Sequence, residues 1–292
     1  MSDDLNQRLR YALAGICKEA ELDTDDAQLV KYTNNAVYIL PRENAVVRFG
    51  IGNLASQRAQ HVTRIAEWLD QQGAPAVRLS GTHNPILFEN YSATIWEQLE
   101  ASNPAWHGAD LAAALRGWRS LSPPDWLKDW DPFSKARASL AMADGLPPED
   151  HSWLSQQWAE IEALYGELYE NLHLGLLHGD AYIGNLLRRH DGQFVLCDFD
   201  ETSVGPLDYD LVVAAVSAVR FGANRDHEEL ASTLGVDVTE SPSWPVLRRI
   251  RELVLVTSVI PDLSNRPDIA RVHAHRLATL RTGEDELWQR YK

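Results

Sequence analysis

Three oxygen-bearing side chains lie close together in the stretch LLHGDAYIGNLLRRHDGQFVLCDFD, which ends at Asp200. They are Asp180, Asn185 and Asp198, each on a predicted loop bordered by short apolar runs. Phosphoryl transfer from ATP to a hydroxyl needs such a set. One carboxylate accepts the hydroxyl proton, while an amide oxygen and another carboxylate hold the magnesium ions that neutralise the triphosphate. The sequence therefore predicts Asp180 as the catalytic base and Asn185 and Asp198 as magnesium ligands.

Each of these residues has an ordinary structural interpretation when it is taken alone. Asp180 fits a turn or a helix cap, Asn185 fits a turn, and Asp198 fits the end of a strand. Their combination at these spacings favours catalysis instead. His178 titrates near neutrality and could be a general base. Because it lies two positions before Asp180 in a tight loop, we expect it to brace that loop by hydrogen bonding.

Further charged residues flank this stretch or precede it. Arg48, in AVVRFG, could direct a cation at nucleotide phosphates from a strand, or it is a surface arginine. Asp200 and Glu201 could assist the metal or face a cationic substrate, or they lie in a solvated turn. Asp208 and Asp210 follow a proline and are expected to cap a helix, unless one of them holds the catalytic loop from behind.

Composition excludes several classes of protein. The chain has 292 residues, of which 45% are hydrophobic and 24% charged, as in a soluble globular protein with one large domain or two lobes. The net charge of -15 argues against a nucleic-acid partner, because phosphate backbones are held by clustered lysine and arginine. A cationic ligand fits the sign of this charge, although the acidic excess also serves solubility.

Neither a disulfide framework nor a membrane span is expected. Cys17 and Cys197 lie far apart without CxxC spacing or companion histidines, which argues against a zinc site as well. The N-terminal residues lack the basic start and apolar core of a secretory signal. The longest apolar stretches, such as Leu211–Val219, are about half of what a bilayer crossing needs. We expect a cytoplasmic protein that is a monomer or a homodimer.

The N-terminal third predicts a small sheet with helices. Leu5–Leu22 has apolar residues at helical spacing, and the segments QLVKYT, AVYILP and AVVRFG read as an antiparallel meander. A second helix is predicted over Leu54–Gln72, ending at Gly73. PILFENY and SATIWEQL are two more strands, and the following ASNPAWHG is a candidate connector between lobes.

The remainder of the chain is predicted to be mostly helical. Helical patterns occur at Ala109–Leu121, Pro132–Ala143, Ser152–Leu172, Leu207–Phe221, Trp244–Val259 and Asp268–Leu280. The exception is the motif stretch, where LLR and FVLCDF flank HDG. These segments predict a hairpin that presents Asp198 at the end of its second strand.

HGDAYIGN followed by CDFD resembles the signature of the aminoglycoside phosphotransferase and choline kinase-like family, relatives of the protein kinases. The segments RFG, AEWLDQQGAPAVRL, TIWEQL and GPLDYDLVVAA extend the resemblance over most of the chain in the family's order. It implies an α+β, bilobal, protein-kinase-like fold. Residues 1–99 would form the nucleotide-binding lobe with an antiparallel five-stranded sheet, and residues 100–292 a helical lobe with the catalytic loop and the substrate pocket.

The resemblance also implies cofactors and roles. ATP or GTP would bind with its base against the connector near Glu97 and Leu99, together with Mg²⁺. By position, Asp180 becomes the base, Asn185 and Asp198 become the metal ligands, and Arg48 stands where the family often has lysine.

Three departures from the family pattern bear on nucleotide binding. Arginine at position 48 is bulkier than lysine and forks its donors, which leaves its carboxylate partner open. The second helix offers Glu67 late in its length, with His61 or Gln60 where a glutamate is usual. The segment TNNAVY is not glycine-rich, so we expect weaker phosphate cover by backbone amides than in protein kinases.

The acceptor is less defined than the reaction. The leading hypothesis is an aminoglycoside or another hydroxylated antibiotic, with Asp200, Glu201 and Asp262 as substrate-site candidates. Further acidic residues would line an amine-binding pocket or lie on solvated faces, namely Asp268, Glu284, Asp285 and Glu286. The alternatives are a metabolic kinase for choline, an amino alcohol or a sugar, and a catalytically silent protein that keeps the fold and senses a ligand.

Overall fold

Strands and helices of the chain group into two compact units in the computed structural model, which describes residues 3–32, 35–81, 83–101 and 105–291. Unit 1 comprises residues 1–102 and 185–200, and unit 2 comprises residues 103–184 and 201–292. The functional division at residues 99 and 100 stays a prediction. Parts of TNNAVY (residues 33 and 34) and of the ASNPAWHG connector (residues 102–104) lie outside the described residues.

Unit 1 is built on the predicted five-stranded antiparallel sheet, whose strand order is β1-β2-β3-β5-β4. Its strands and helices are α1 (Asp3–Glu19), β1 (Gln28–Tyr32), β2 (Ala36–Leu40), β3 (Ala45–Ile51), α2 (Asn53–Gln71), β4 (Ile86–Phe88), β5 (Tyr91–Glu97), β6 (Glu100–Ala101), β8 (Leu186–Arg188) and β9 (Phe194–Leu196). Strands β6, β8 and β9 form a second, antiparallel sheet, in which β8 and β9 are the predicted hairpin.

Alternation along β3 separates a core face from a functional face. Val47 and Phe49 are buried in an apolar cluster with residues of α1 such as Leu13 and Ile16. Arg48, between them in sequence, points to the opposite face, as the period of two in a strand requires. In the register of the sheet it stands opposite Thr94 of β5.

Unit 2 is mostly helical, as predicted. Its elements are α3 (Gly108–Arg119), α4 (Pro132–Ala141), α5 (Pro148–Leu168), β7 (Leu174–Leu177), β10 (Ser203–Pro206), α6 (Tyr209–Phe221), α7 (Asn224–Leu234), α8 (Trp244–Thr257) and α9 (Pro267–Thr282). Within the described ranges, no helix combines the length and apolarity that crossing a bilayer takes.

Three elements of unit 2 were not expected from the sequence. Helix α7 is polar and buries Leu230 alone among its residues, so it carries almost no apolar stripe. Strands β7 and β10 pair with each other antiparallel, but each is four residues long and interrupted by glycine or proline. Such short segments have too few residues to show a period.

Candidate active site

The open end of the β8–β9 hairpin carries two of the predicted ligands. Asn185 directly precedes β8 and is buried, and its carbonyl oxygen accepts a hydrogen bond from the Cys197 amide at 2.9 Å. Asp198 follows β9, which ends at Leu196 and not at Asp198 as expected. The φ angle of Asp198 is 69°, in the left-handed region that non-glycine residues rarely adopt. Such strained conformations concentrate at functional sites.

Arg48 finds its carboxylate partners at the same end of the hairpin. Its guanidinium donates to Asp198 Oδ1 at 3.3 Å and makes a shorter bond to Asp200 Oδ2. Burial lowers the pKa of Arg48, but the charges of Asp200 and Asp198 outweigh that effect and raise the pKa, so the side chain stays cationic. Glu67, in contrast, lies exposed on α2. The partner that the sequence left open is therefore supplied by the CDFD segment.

The donor set at this end suits a hard divalent cation. Asn185 contributes an amide group, and Asp198 and Asp200 contribute carboxylates. The Oδ1 atom of Asp200 is buried and makes no hydrogen bond to any described residue, as expected of a group that awaits a further partner. In the described parts of the chain, no cluster of three or more His, Cys, Asp or Glu side chains is arranged as a complete metal site. A cation here would take its remaining ligands from water or phosphate.

Arg48 also lines a pocket inside unit 1 beside α2. The pocket is bordered by Arg58 as well, and by the hydroxyl side chains of Ser92 and Thr94 on β5. Asp200 closes one side. Guanidinium and hydroxyl donors in one pocket suit an anionic ligand such as a phosphate.

Glu97 has a structural partner in unit 1. Its Oε1 accepts from the Arg189 guanidinium at 3.1 Å and from the Arg78 amide at 2.8 Å. Arg189 also donates to the Ala76 carbonyl at 2.8 Å. The Glu97 side chain therefore fastens the end of β5 to the hairpin, while Leu99 is half-buried just beyond. Contact of residues 97–99 with a nucleobase stays a prediction.

The loop that carries Asp180 in unit 2 is held from behind by Asp210. Both oxygens of this buried carboxylate accept backbone amides, from His178 at 2.9 Å and from Gly179 at 2.8 Å. Burial raises the pKa of Asp210, and His178 and the two amides oppose the shift. His178 is fully buried against Trp118, and its Nδ1 accepts the Asp180 amide at 3.3 Å. His178 thus braces the loop, as expected.

Asp208 does not cap α6 with its side chain, which corrects the sequence-based expectation. Its carboxylate instead accepts the hydroxyls of Ser241 at 3.0 Å and Ser243 at 2.8 Å. These serines precede α8, so Asp208 ties the start of α8 to the start of α6. The pairing was hidden from the sequence because the partners lie more than thirty positions away.

Asp180 itself is paired with an arginine of α8. Its side chain is 31% exposed, and its Oδ1 accepts from the Arg251 guanidinium at 2.6 Å. The Tyr209 side chain also lies close to the Arg251 guanidinium. Burial lowers the pKa of Arg251, but Asp180 and Tyr209 outweigh that effect, so the pKa is raised above its usual value. Burial also raises the pKa of Tyr209 to about 12, so its hydroxyl stays protonated.

The other acidic candidates of unit 2 have cationic neighbours in the protein. Glu201 pairs with Lys135 across side chains that are both substantially exposed. Asp262 is exposed at the end of a short 3-10 helix. The pKa of the nearby Arg266 is raised mainly by its hydrogen bond with Asp268, and Asp262 adds a smaller contribution. Two further pairs join Asp268 to Arg266 and Asp285 to Arg248.

The sequence profile of the phosphotransferase enzyme family matches residues 30–253, a range that includes Arg48, Asp180, Asn185, Asp198 and Arg251. The chain belongs to this family. The resemblance to aminoglycoside phosphotransferases and choline kinases is thereby confirmed. No curated protein matches the chain.

Several solved structures share the fold of this chain over most of its length. An amicoumacin kinase in complex with AMP-PNP, Ca²⁺ and amicoumacin superposes with a TM-score of 0.71 at 12% identity, covering 99% of this chain and 98% of that one. A choline/ethanolamine kinase family protein from Mesorhizobium loti superposes with a TM-score of 0.66 at 17% identity, covering 94% of each chain. The aminoglycoside phosphotransferase APH(3'')-Id from Streptomyces rimosus superposes with a TM-score of 0.64 at 17% identity, covering 87% of this chain and 99% of that one. At these identities the similarity establishes the α+β, protein-kinase-like fold.

Two residues beside Asp180 escaped the sequence analysis. Arg251 is one of several arginines in LRRIREL, and its partner Asp180 is 71 positions away. Tyr209 looks like an ordinary aromatic at the start of a helix. A helical projection of α8 would have shown Arg251 one turn from the buried Leu247 and the half-buried Leu255, which is an unusual place for a charge.

Proposed function

We propose that this phosphotransferase moves the γ-phosphoryl group of ATP or GTP to a hydroxyl of a small molecule. Family membership supports the reaction class. The geometry at the hairpin end of unit 1 supports the proposal most strongly. Asn185 and Asp198 flank the strand pair there, and Arg48 bonds to Asp198 and Asp200. Asp180, on its braced loop in unit 2, supplies the base.

Unit 1 would bind the nucleotide. Arg48 donates to the phosphates, and Arg58, Ser92 and Thr94 line the same pocket. The backbone of residues 97–99 would meet the base, as the family resemblance implies. Magnesium, held through Asn185 and Asp198 with Asp200 as a further donor, would neutralise charge on the phosphates.

The transfer step does not require a strong base. The acceptor oxygen forms a bond to the γ-phosphorus while the bond from that phosphorus to the β-bridging oxygen breaks, and the nucleoside diphosphate leaves. The hydroxyl proton passes to the Asp180 carboxylate late in the reaction, because the transition state is loose. Before transfer, Asp180 orients the hydroxyl by accepting its hydrogen bond.

For the acceptor we propose a hydroxylated antibiotic, with an aminoglycoside as the first candidate, and Glu201, Asp262 and Asp200 as its polar contacts. The solved structures with this fold include an amicoumacin kinase and an aminoglycoside phosphotransferase. They also include a choline/ethanolamine kinase family protein, which favours a metabolic kinase for choline, an amino alcohol or a sugar as the second candidate.

The test measures magnesium-dependent transfer from ATP and GTP to a panel of aminoglycosides, amicoumacin, macrolides, nucleoside antibiotics, choline and hexoses. We expect one class to be phosphorylated and Asp180→Ala to abolish transfer while nucleotide binding changes little. Turnover by Asp180→Ala equal to that of the wild type contradicts the assigned role. Nucleotide binding with no transfer and no hydrolysis instead supports a ligand-sensing protein.

A further inference from the structure

Arg251 reaches the proposed base from a helix that the family signature does not include. Its guanidinium lies 2.6 Å from Asp180 Oδ1, and its side chain is 12% exposed. The neighbouring arginines of α8 have other partners. Arg248 bonds to Glu252 at 3.0 Å, and Arg249 bonds to Gln157 at 2.6 Å. Arg251 is thus the α8 arginine that contacts Asp180.

The Arg251 guanidinium is itself held in place by an aromatic group. The Tyr209 side chain lies beside it, and Tyr209 is 2% exposed with its ring 4.3 Å from the Trp130 ring. A planar cation fixed by a packed neighbour makes a directional bond to a carboxylate. The bond to Oδ1 therefore sets the plane of the Asp180 carboxylate and with it the direction of Oδ2.

We propose that Arg251 is a positioning residue for phosphoryl transfer, which orients Asp180 so that Oδ2 receives the proton of the acceptor hydroxyl. This inference rests on the proposed function of Asp180. Arg251 acts through Asp180 and not on the nucleotide. Its removal should therefore lower kcat and leave the KM for nucleotide almost unchanged.

The kinetic test compares Arg251→Met with Arg249→Met, a matched loss of an arginine from the same helix. The substrate is the acceptor that the panel identifies, or water in the hydrolysis assay. For Arg251→Met we expect kcat to fall about tenfold to hundredfold, the range that a small misplacement of a catalytic group produces. The kcat of Arg249→Met should stay within about twofold of the wild-type kcat, because Arg249 does not position a catalytic group. Free guanidinium ion, added as a probe, should restore part of the kcat of Arg251→Met and none of that of Asp180→Ala.

A second measurement does not depend on activity. Asp180→Ala leaves a nearly buried cation without its carboxylate, which is more costly than removing both members of the pair. The double variant Asp180→Ala/Arg251→Met should therefore unfold at a higher temperature than Asp180→Ala. Combining Asp180→Ala with Arg249→Met should give additive changes, because Arg249 has other partners.

The outcomes separate the two proposals. A wild-type protein without transfer or hydrolysis overturns the proposed function. An active wild type whose Arg251→Met variant keeps full kcat, or loses no more than Arg249→Met, overturns the role of Arg251. Where Arg251→Met does not fold, Arg251→Lys and Tyr209→Phe decide, since the first loses the planar fork and the second loses the hydroxyl beside it. Wild-type kcat in both variants overturns the inference.

Discussion

At position 48 the guanidinium of an arginine bonds to two carboxylates. Its fork reaches Asp198 and Asp200 together, so one strand residue is joined to both acidic positions of CDFD. The guanidinium is largely buried beside them, where charge-assisted bonds are strong. Asp198 and Asp200 therefore hold the Arg48 side chain in place within unit 1.

Arg48→Lys should therefore be a severe change despite its conserved charge. We expect the loss of one charged hydrogen bond, about 1.5–3 kcal/mol, to raise the KM for nucleotide about tenfold or more. Steady-state kinetics at saturating acceptor measure the effect. Arg42→Lys, an arginine of unit 1 outside this pocket and 64% exposed, is the control and should change KM little. Equal nucleotide KM in wild type and Arg48→Lys would show that the second bond is unimportant.

Gly179, in the Asp180 loop, allows a positive φ angle and lets the backbone of Glu201 come close. Its φ angle is 84°, and a Cβ atom there would lie 2.5 Å from the Glu201 carbonyl oxygen. An alanine must displace that backbone, so Gly179→Ala should lower kcat about a hundredfold and destabilise the protein. Gly166→Ala, in α5 with open space around it, is the matched control and should be neutral or slightly stabilising. Wild-type kcat in Gly179→Ala would contradict the close approach.

Among the elements, α9 contains a histidine that links stability to pH. His273 is buried, and its Nε2 has no hydrogen-bond partner among the described residues. Burial lowers its pKa from 6.5, Arg276 lowers it further, and Asp150 opposes these effects. The folded state therefore binds fewer protons than the unfolded state as the pH falls below 6.5, and stability decreases in that range.

The expected result is a thermal unfolding temperature that drops between pH 7.5 and pH 5.5, and drops less in His273→Gln. His275→Gln is the control, because His275 is on the same helix with an exposed side chain. Differential scanning calorimetry at both pH values gives the comparison. A pH dependence in His273→Gln identical to that of the wild type would assign the loss of stability to other groups.

The sequence predicted an element well when its pattern of apolar residues repeats over many positions. Long amphipathic helices such as α2 and the β2–β3 meander were predicted because burial on one face imposes a period. The pairing of Asp208 with the serines before α8 has no local signature, since it arises from folding of distant segments. The same holds for Arg251 and Asp180. Local chemistry was therefore accessible from sequence, and long-range support for it was not.

At the scale of the whole molecule, the C-terminal residues of unit 2 pack over two buried arginines. Arg220 is 2% exposed, bonds to Glu252 at 2.8 Å and stacks 4.7 Å from the Trp288 ring. Arg276 lies 5.2 Å from the same ring. Trp288, itself buried, donates its indole N–H to Thr279 at 2.8 Å. The segment after α9 thus covers two charges that would be costly to bury without partners.

Trp288→Ala should lower the free energy of unfolding by about 3–5 kcal/mol, the range for loss of a buried aromatic side chain. Urea unfolding followed by tryptophan fluorescence or circular dichroism measures the change. Leu287→Ala, next in sequence and 63% exposed, should change stability by less than about 0.5 kcal/mol. Similar effects of the two substitutions would mean that the segment contributes no specific packing.

The assignment of residues 185–200 to unit 1 governs how the protein can be dissected. A fragment that stops near residue 101 would lack the partner strand of β6 and the guanidinium that binds Glu97. It would also present Arg48 without either carboxylate. Domain expression, isotope labelling or fusion of the N-terminal piece therefore requires the hairpin segment to be grafted back through a linker.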